Sequence, residues 1–128
     1  MKRIRGETLQ SVLARTRGPA RLRLVDRLIA VAQAVAHAHA AGILHRDLKP
    51  ANIMIGERGE TLVVDWGLAQ LAAKSGGVAG TPGYASPEQA RGEALDARAD
   101  VWSLGAILHE LLVGAEPLRP SPRGSTVS

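Results

Sequence analysis

Ten consecutive residues constrain this chain more than any other stretch: Ile43-Leu44-His45-Arg46-Asp47-Leu48-Lys49-Pro50-Ala51-Asn52. They set an acid, two bases and an amide close together, with Pro50 interrupting any regular element. The residues after them fix their surroundings. Ile53-Met54-Ile55 and Thr61-Leu62-Val63-Val64 read as two short strands, joined by the turn-rich Gly56-Glu57-Arg58-Gly59. Such a hairpin carries Asn52 at its entrance and Asp65 at its exit, so an amide oxygen and a carboxylate meet at one end.

Further motifs come in a set order. Asp65-Trp66-Gly67 is followed by Gly80-Thr81-Pro82-Gly83-Tyr84, then Ser86-Pro87-Glu88, then Asp100-Val101-Trp102-Ser103-Leu104-Gly105. Together with His45–Asn52 they resemble the large lobe of a eukaryotic-like, bacterial serine/threonine protein kinase. A composition with 13 Arg against 3 Lys and with 21 Ala suits a GC-rich bacterial coding sequence. The resemblance implies an α+β fold, mainly α, in which helices surround a catalytic loop and a small hairpin: a truncated C-terminal lobe. It covers residues 1–115 as a partial kinase domain.

The implied activity is transfer of the ATP γ-phosphoryl group to protein serine or threonine, with ATP and Mg²⁺ as cofactors. In the H-R-D-L-x-x-x-N loop the Asp takes the proton of the attacking hydroxyl and the Asn holds a metal ion, which assigns these roles to Asp47 and Asn52. Lys49 would set its point charge against the transferring group. Asp65 would be the second Mg²⁺ ligand; Trp66 stands where the family has Phe, still an apolar ring. Thr81 would bond Asp47 and Lys49 and help present the substrate. Met1 would stand at the gatekeeper position, the backbone up to Ile4 would face the adenine, and Met54 would floor its pocket. For Met1 and Ile4 the plain alternative is a frayed terminus; for Met54 it is a core methionine. Arg46 would pair with a phosphate on the loop from Leu68 to Gly80, where Ser75 and Thr81 are the available hydroxyls. His45, Gly67, Glu88 and Asp100 would be structural. Glu88 would pair with an Arg of a later helix, and Asp100 would hold the His45-Arg46 backbone. The alternative for Asp100 is a first-turn acid favoured by the helix dipole.

The remaining chain reads as helices. Thr8 caps a short one to Ala14, with Leu9, Val12 and Leu13 on its apolar side, and Gly18-Pro19 breaks it. Arg21–Ala41 reads as a long helix whose stripe is Val25, Leu28, Ile29, Ala32, Val35, Ala36 and His39, ended by Gly42. His37 and His39, two apart, cannot share a metal on one helix face. Ile43-Leu44 reads as a short strand. Asp96–Val113 reads as a helix with Val101, Leu104, Ile107, Leu108, Leu111 and Leu112 buried. Residues 116–128, with Pro117, Pro120 and Pro122 among serines, read as a disordered tail.

Bulk properties exclude several classes. The net charge of +4 comes from scattered residues, and with only three aromatics (Trp66, Tyr84, Trp102) nucleic-acid binding is not expected. No apolar run reaches 18 residues, so no membrane segment is expected, and the charged start has no apolar core of a secretory signal. Absence of cysteine excludes disulfides and thiolate metal sites and suits the cytoplasm.

No G-x-G-x-x-G loop and no V-A-I-K strand occurs among the 44 residues before His45. Weak nucleotide binding and low turnover are therefore expected of this chain alone. Three readings stand. One is a partial kinase domain, whose protein partners are Ser/Thr substrates and a small lobe encoded separately or missing. Another is a non-catalytic, pseudokinase-like module that titrates partners of full kinases. The third is an unstable product with exposed apolar surface.

Overall fold

Thr8 opens the first helix as its composition demands: its Oγ1 accepts the Ser11 amide at 3.1 Å, satisfying a donor the helix cannot. The computed structural model describes residues 6–67 and 80–113. Strand β1 (Gly6–Thr8) leads into helix α1 (Leu9–Arg15), which buries Leu9, Val12 and Leu13 as expected. A 3₁₀ helix follows over Gly18–Leu24, with Gly18 turning at φ 62° and Pro19 in its first turn. Helix α2 spans Val25–Ala40. The expected Arg21–Ala41 helix is thus divided, because Pro19 starts a tighter turn that ends at Leu24.

The buried side of this region is Leu24, Leu28, Val31 and Val35. Ile29 is 51% exposed, so the apolar stripe is rotated from the expected one. Small alanines surround α2, and alanine periodicity cannot say which side is covered. Gly42, at φ 79°, closes the helix in a Schellman arrangement: its amide donates to the His39 carbonyl and the Ile43 amide to the Ala38 carbonyl, both at 2.9 Å. These bonds correct the expected Ile43-Leu44 strand. The amide of Ile43 is spent on the helix end and that of His45 on Asp100, so no sheet ladder forms there.

A 3₁₀ turn over Pro50–Asn52 leads into β2 (Ile53–Gly56), which pairs antiparallel with β3 (Thr61–Val63) in the register Ile53↔Val63, Met54↔Leu62, Ile55↔Thr61. Strand β1 adds to the other edge of β2, Gly6 facing Gly56. A Cβ on Gly6 would stand 2.2 Å from the Ile55 carbonyl oxygen, so only glycine fits that approach. The sheet order is β1-β2-β3.

Helix α3 (Pro87–Ala90) begins with a capping box between Ser86 and Gln89. Helix α4 (Ala97–Val113) starts after Asp96, whose Oδ1 accepts the Arg98 amide at 2.9 Å. Its covered side is Ala99, Asp100, Ser103, Ile107 and Leu111. Of the residues expected to be buried, Val101 is 59% and Leu112 56% exposed, and Leu108 also faces solvent. The helix is apolar around most of its circumference. The side that packs on α2 also carries Asp100 and Ser103, whose partners are His39 on α2, the Arg46 amide and the Tyr84 carbonyl.

One core joins these parts: Leu9, Leu13, Leu28, Val31, Leu48, Ile53 and Ile107 all belong to it. Arg21 ties its outer end. Its guanidinium donates to the carbonyls of Thr16 at 2.8 Å and of Leu13 and Glu110 at 2.9 Å, joining the end of α1 to α4. No helix among the described residues is long and apolar enough to cross a membrane.

Candidate active site

The loop from His45 to Lys49 has no regular structure of its own and is held from three sides. Asp100, fully buried in the first turn of α4, accepts the His45 amide through Oδ2 and the Arg46 amide through Oδ1, each at 2.9 Å. His39 on α2 places Nε2 2.7 Å from the same Oδ2. A carboxylate sealed from water needs such partners, and here they fix the loop's backbone. Through these two bonds Asp100 ties the His45 and Arg46 amides to the start of α4.

His45, also fully buried, bridges the loop to the sheet. Its Nε2 lies 2.8 Å from the Val64 carbonyl and its Nδ1 accepts the Asp47 amide at 3.1 Å. The two bonds define the neutral tautomer with the proton on Nε2. Trp66 stacks edge-on against this ring, centroids 4.7 Å apart, while its indole N–H donates to the Val63 carbonyl at 3.0 Å. The bulkier ring in place of Phe thus gains a polar anchor.

Asp47 and Thr81, 34 residues apart, meet in front of this scaffold. The Thr81 hydroxyl donates to Asp47 Oδ1 at 2.7 Å and accepts from Lys49 Nζ at 2.8 Å. Lys49 Nζ stands 3.5 Å from Asp47 Oδ2. Acid, hydroxyl and ammonium thus form one closed cluster, partly open to solvent.

Asn52 commits its amide nitrogen to the Asp47 carbonyl at 2.8 Å, and the Val64 amide donates to the Asn52 carbonyl at 2.9 Å. This last bond continues the β2–β3 ladder, so Asp65 leaves the sheet beside Asn52. Asp65 is exposed at φ 63°, and Gly67 follows at φ 87°. The Asn52 side-chain oxygen and the Asp65 carboxylate are bonded to no described residue, and they are hard oxygen donors of the kind Mg²⁺ takes alongside water and phosphate. The donor set fits that ion.

Met54 is half-buried on β2. Arg46 lies at φ 76°, and its Nε is buried without a hydrogen-bond partner among the described residues. Glu88 makes no ion pair among the described residues. Met1, Ile4 and Ser75 lie outside the described residues. The structure adds groups to which the motifs assigned no role. Tyr84 donates from its hydroxyl to Glu110 at 2.5 Å, Ser103 donates to the Tyr84 carbonyl at 2.7 Å, and Gln89 donates to the Arg46 carbonyl at 2.6 Å. For Gln89 a signal was present, since Ser-x-x-Gln before a helix is a capping box.

Away from the loop, charge pairs tune exposed groups. The Arg98 side-chain hydrogen bond holds the Asp96 carboxyl below its ordinary range, and that of Arg91 does the same for Glu93.

The chain resembles known proteins in sequence and in fold. The sequence matches the protein kinase domain family over residues 1–127, and the chain belongs to that family. It is 46% identical over 125 residues to the serine/threonine-protein kinase PknB of Mycolicibacterium smegmatis, covering 91% of this chain and 20% of that protein. It is 41% identical over 124 residues to a probable serine/threonine-protein kinase, SCO3848, of Streptomyces coelicolor, covering 91% and 18%. Among solved structures, the PknI kinase domain of Mycobacterium tuberculosis superposes with a TM-score of 0.75 at 30% identity, over 95% of this chain and 46% of that one. The chain thus spans about a fifth of the curated relatives' length and just under half of the solved kinase domain.

Proposed function

We propose that this chain supplies the lower half of a serine/threonine kinase active site, transferring the ATP γ-phosphoryl group to protein hydroxyls. The observation that carries the proposal is the cluster of Asp47, Thr81 and Lys49. Asp47 already accepts one hydroxyl, that of Thr81, through Oδ1. Its Oδ2, 3.5 Å from Lys49 Nζ, keeps a lone pair for a substrate Ser or Thr hydroxyl, and takes that proton as the hydroxyl attacks. Lys49, held by Thr81, sets its positive charge where negative charge develops on the transferred group.

Mg·ATP, when bound, supplies the phosphoryl group and the divalent charge that offsets it. Asn52 and Asp65 would hold the metal, and Met54 with the Met1–Ile4 segment would line the adenine side. Arg46, with its buried Nε, would receive a phosphate carried by Ser75, since the Thr81 hydroxyl is engaged with Asp47 and Lys49. We take 1–115 as the kinase unit and 116–128 as a tail, with the reaction in the cytoplasm.

Phosphoamino-acid analysis of casein incubated with the full-length protein and γ-labelled Mg·ATP tests the reading. Phosphoserine and phosphothreonine are expected. Phosphotyrosine alone, or no label, would overturn it.

A further inference from the structure

We infer that Gln89 is a positioning residue, whose side-chain amide fixes the Arg46–Asp47 peptide and so sets Asp47 in register with Thr81. The inference rests on the kinase reading for what Asp47 does, but its geometry stands apart from that reading. Arg46 is in the left-handed region at φ 76°, which a residue with a side chain holds only when its surroundings impose it. Its peptide groups are clamped on both sides. Asp100 accepts the N–H at 2.9 Å, and Gln89 Nε2 donates to the C=O at 2.6 Å. That carbonyl belongs to the peptide that leads into Asp47.

Gln89 is itself nearly fully buried and has no freedom to turn its amide over. Its Oε1 accepts the Ser86 amide at 3.0 Å, so Nε2 must point at Arg46. The same amide packs under Gly80, at φ 89°, where a Cβ would come within 3.0 Å of Nε2 and 2.9 Å of the Ala85 Cβ. Gly80 precedes Thr81. One side chain therefore touches the segment that presents Thr81 and the peptide that presents Asp47. Both a donor and an acceptor are required, which is why a glutamine serves and an apolar residue of equal size would not.

The test uses the full-length protein with Gln89→Met and Gln89→Glu, read by hydrogen exchange and by phosphoryl transfer to casein. In Gln89→Met, exchange over His45–Leu48 is expected to rise while α2 and the β2–β3 hairpin keep wild-type protection, and kcat to fall about tenfold with KM for ATP unchanged. In Gln89→Glu, a neutral carboxyl can still donate to Arg46 and accept from Ser86, whereas an ionised one repels the Arg46 carbonyl. Its activity relative to wild type should therefore fall from pH 5 to pH 8, while the Gln89→Met ratio stays flat. A residue that only fills space would give both variants the same flat ratio. Wild-type exchange over His45–Leu48 in Gln89→Met would overturn the inference. If Gln89→Met loses protection everywhere, Gln89→Glu decides: after correction for intrinsic exchange, better protection of His45–Leu48 at pH 5 than at pH 8 supports the clamp, and equal protection overturns it. Absence of Asp47-dependent transfer in the wild type would sink the kinase reading alone, since exchange still reports the clamp.

Discussion

Asp100 accepts the backbone amide of Arg46 at 2.9 Å across 54 positions of sequence. The bond joins the first turn of α4 to a loop with no regular hydrogen bonding of its own. Asp100→Asn would turn an NH₂ group toward one of the donors the carboxylate now accepts. A buried donor left unpaired costs about 1–3 kcal/mol. Urea unfolding should show a loss of that size, and exchange over His45–Leu48 should rise. An unchanged midpoint would mean that the loop is held by other contacts.

Thr81→Val keeps the shape of the side chain and removes the hydroxyl that links Lys49 to Asp47. Turnover should fall roughly 10²–10³-fold, the range for losing one placed hydrogen-bond donor in an active site. Thr81→Ser should retain most activity. Equal kinetics of wild type and Thr81→Val would remove Thr81 from the mechanism.

The rotated face of α4 predicts a contrast between two similar side chains. Ile107 is fully buried and Leu112 is 56% exposed. Ile107→Ala should cost about 2–5 kcal/mol by leaving a cavity, and Leu112→Ala within about 0.5 kcal/mol of nothing. Thermal unfolding of the two variants checks it; equal losses would restore the face expected from periodicity.

Asp96 gives a pH dependence with a defined sign. Its folded carboxyl lies below its ordinary range, chiefly through the Arg98 side chain and then the Arg98 amide. A group lowered on folding adds stability above its unfolded pKa and loses it as pH falls through the folded value. The start of α4 should therefore fray at acid pH, seen as faster amide exchange at Arg98, and Asp96→Asn should abolish that acid step. Both groups are exposed, so the effect is local.

Much of the site was legible in the order of residues alone. The Gly56–Gly59 turn between two β-branched runs placed Asn52 and Asp65 at one end, and the Asn52–Val64 bond bears that out. Thr8 and Gly42 marked helix ends because capping chemistry is local. The covered faces of α2 and α4 were legible in part: Leu28, Val35, Ile107 and Leu111 are buried as expected, whereas Ile29, Val101, Leu108 and Leu112 are exposed. Both helices carry small or apolar residues around most of their surface, and on α4 the side that packs also carries Asp100 and Ser103, which bond the distant Arg46 and Tyr84. Ile43-Leu44 is a related case: its composition suits a strand, but the Ile43 amide is committed to the α2 end. Gln89 passed unnoticed because a capping-box glutamine looks local, whereas its other nitrogen bond reaches Arg46, 43 positions away.

The most direct measurement is the rate of γ-labelled phosphoryl transfer from Mg·ATP to casein by the full-length protein and its Asp47→Asn variant. Removing a general base should lower the rate by about 10²–10⁴-fold while the fold, read by circular dichroism, stays intact. Equal transfer by both proteins would contradict the assignment of Asp47 as the base.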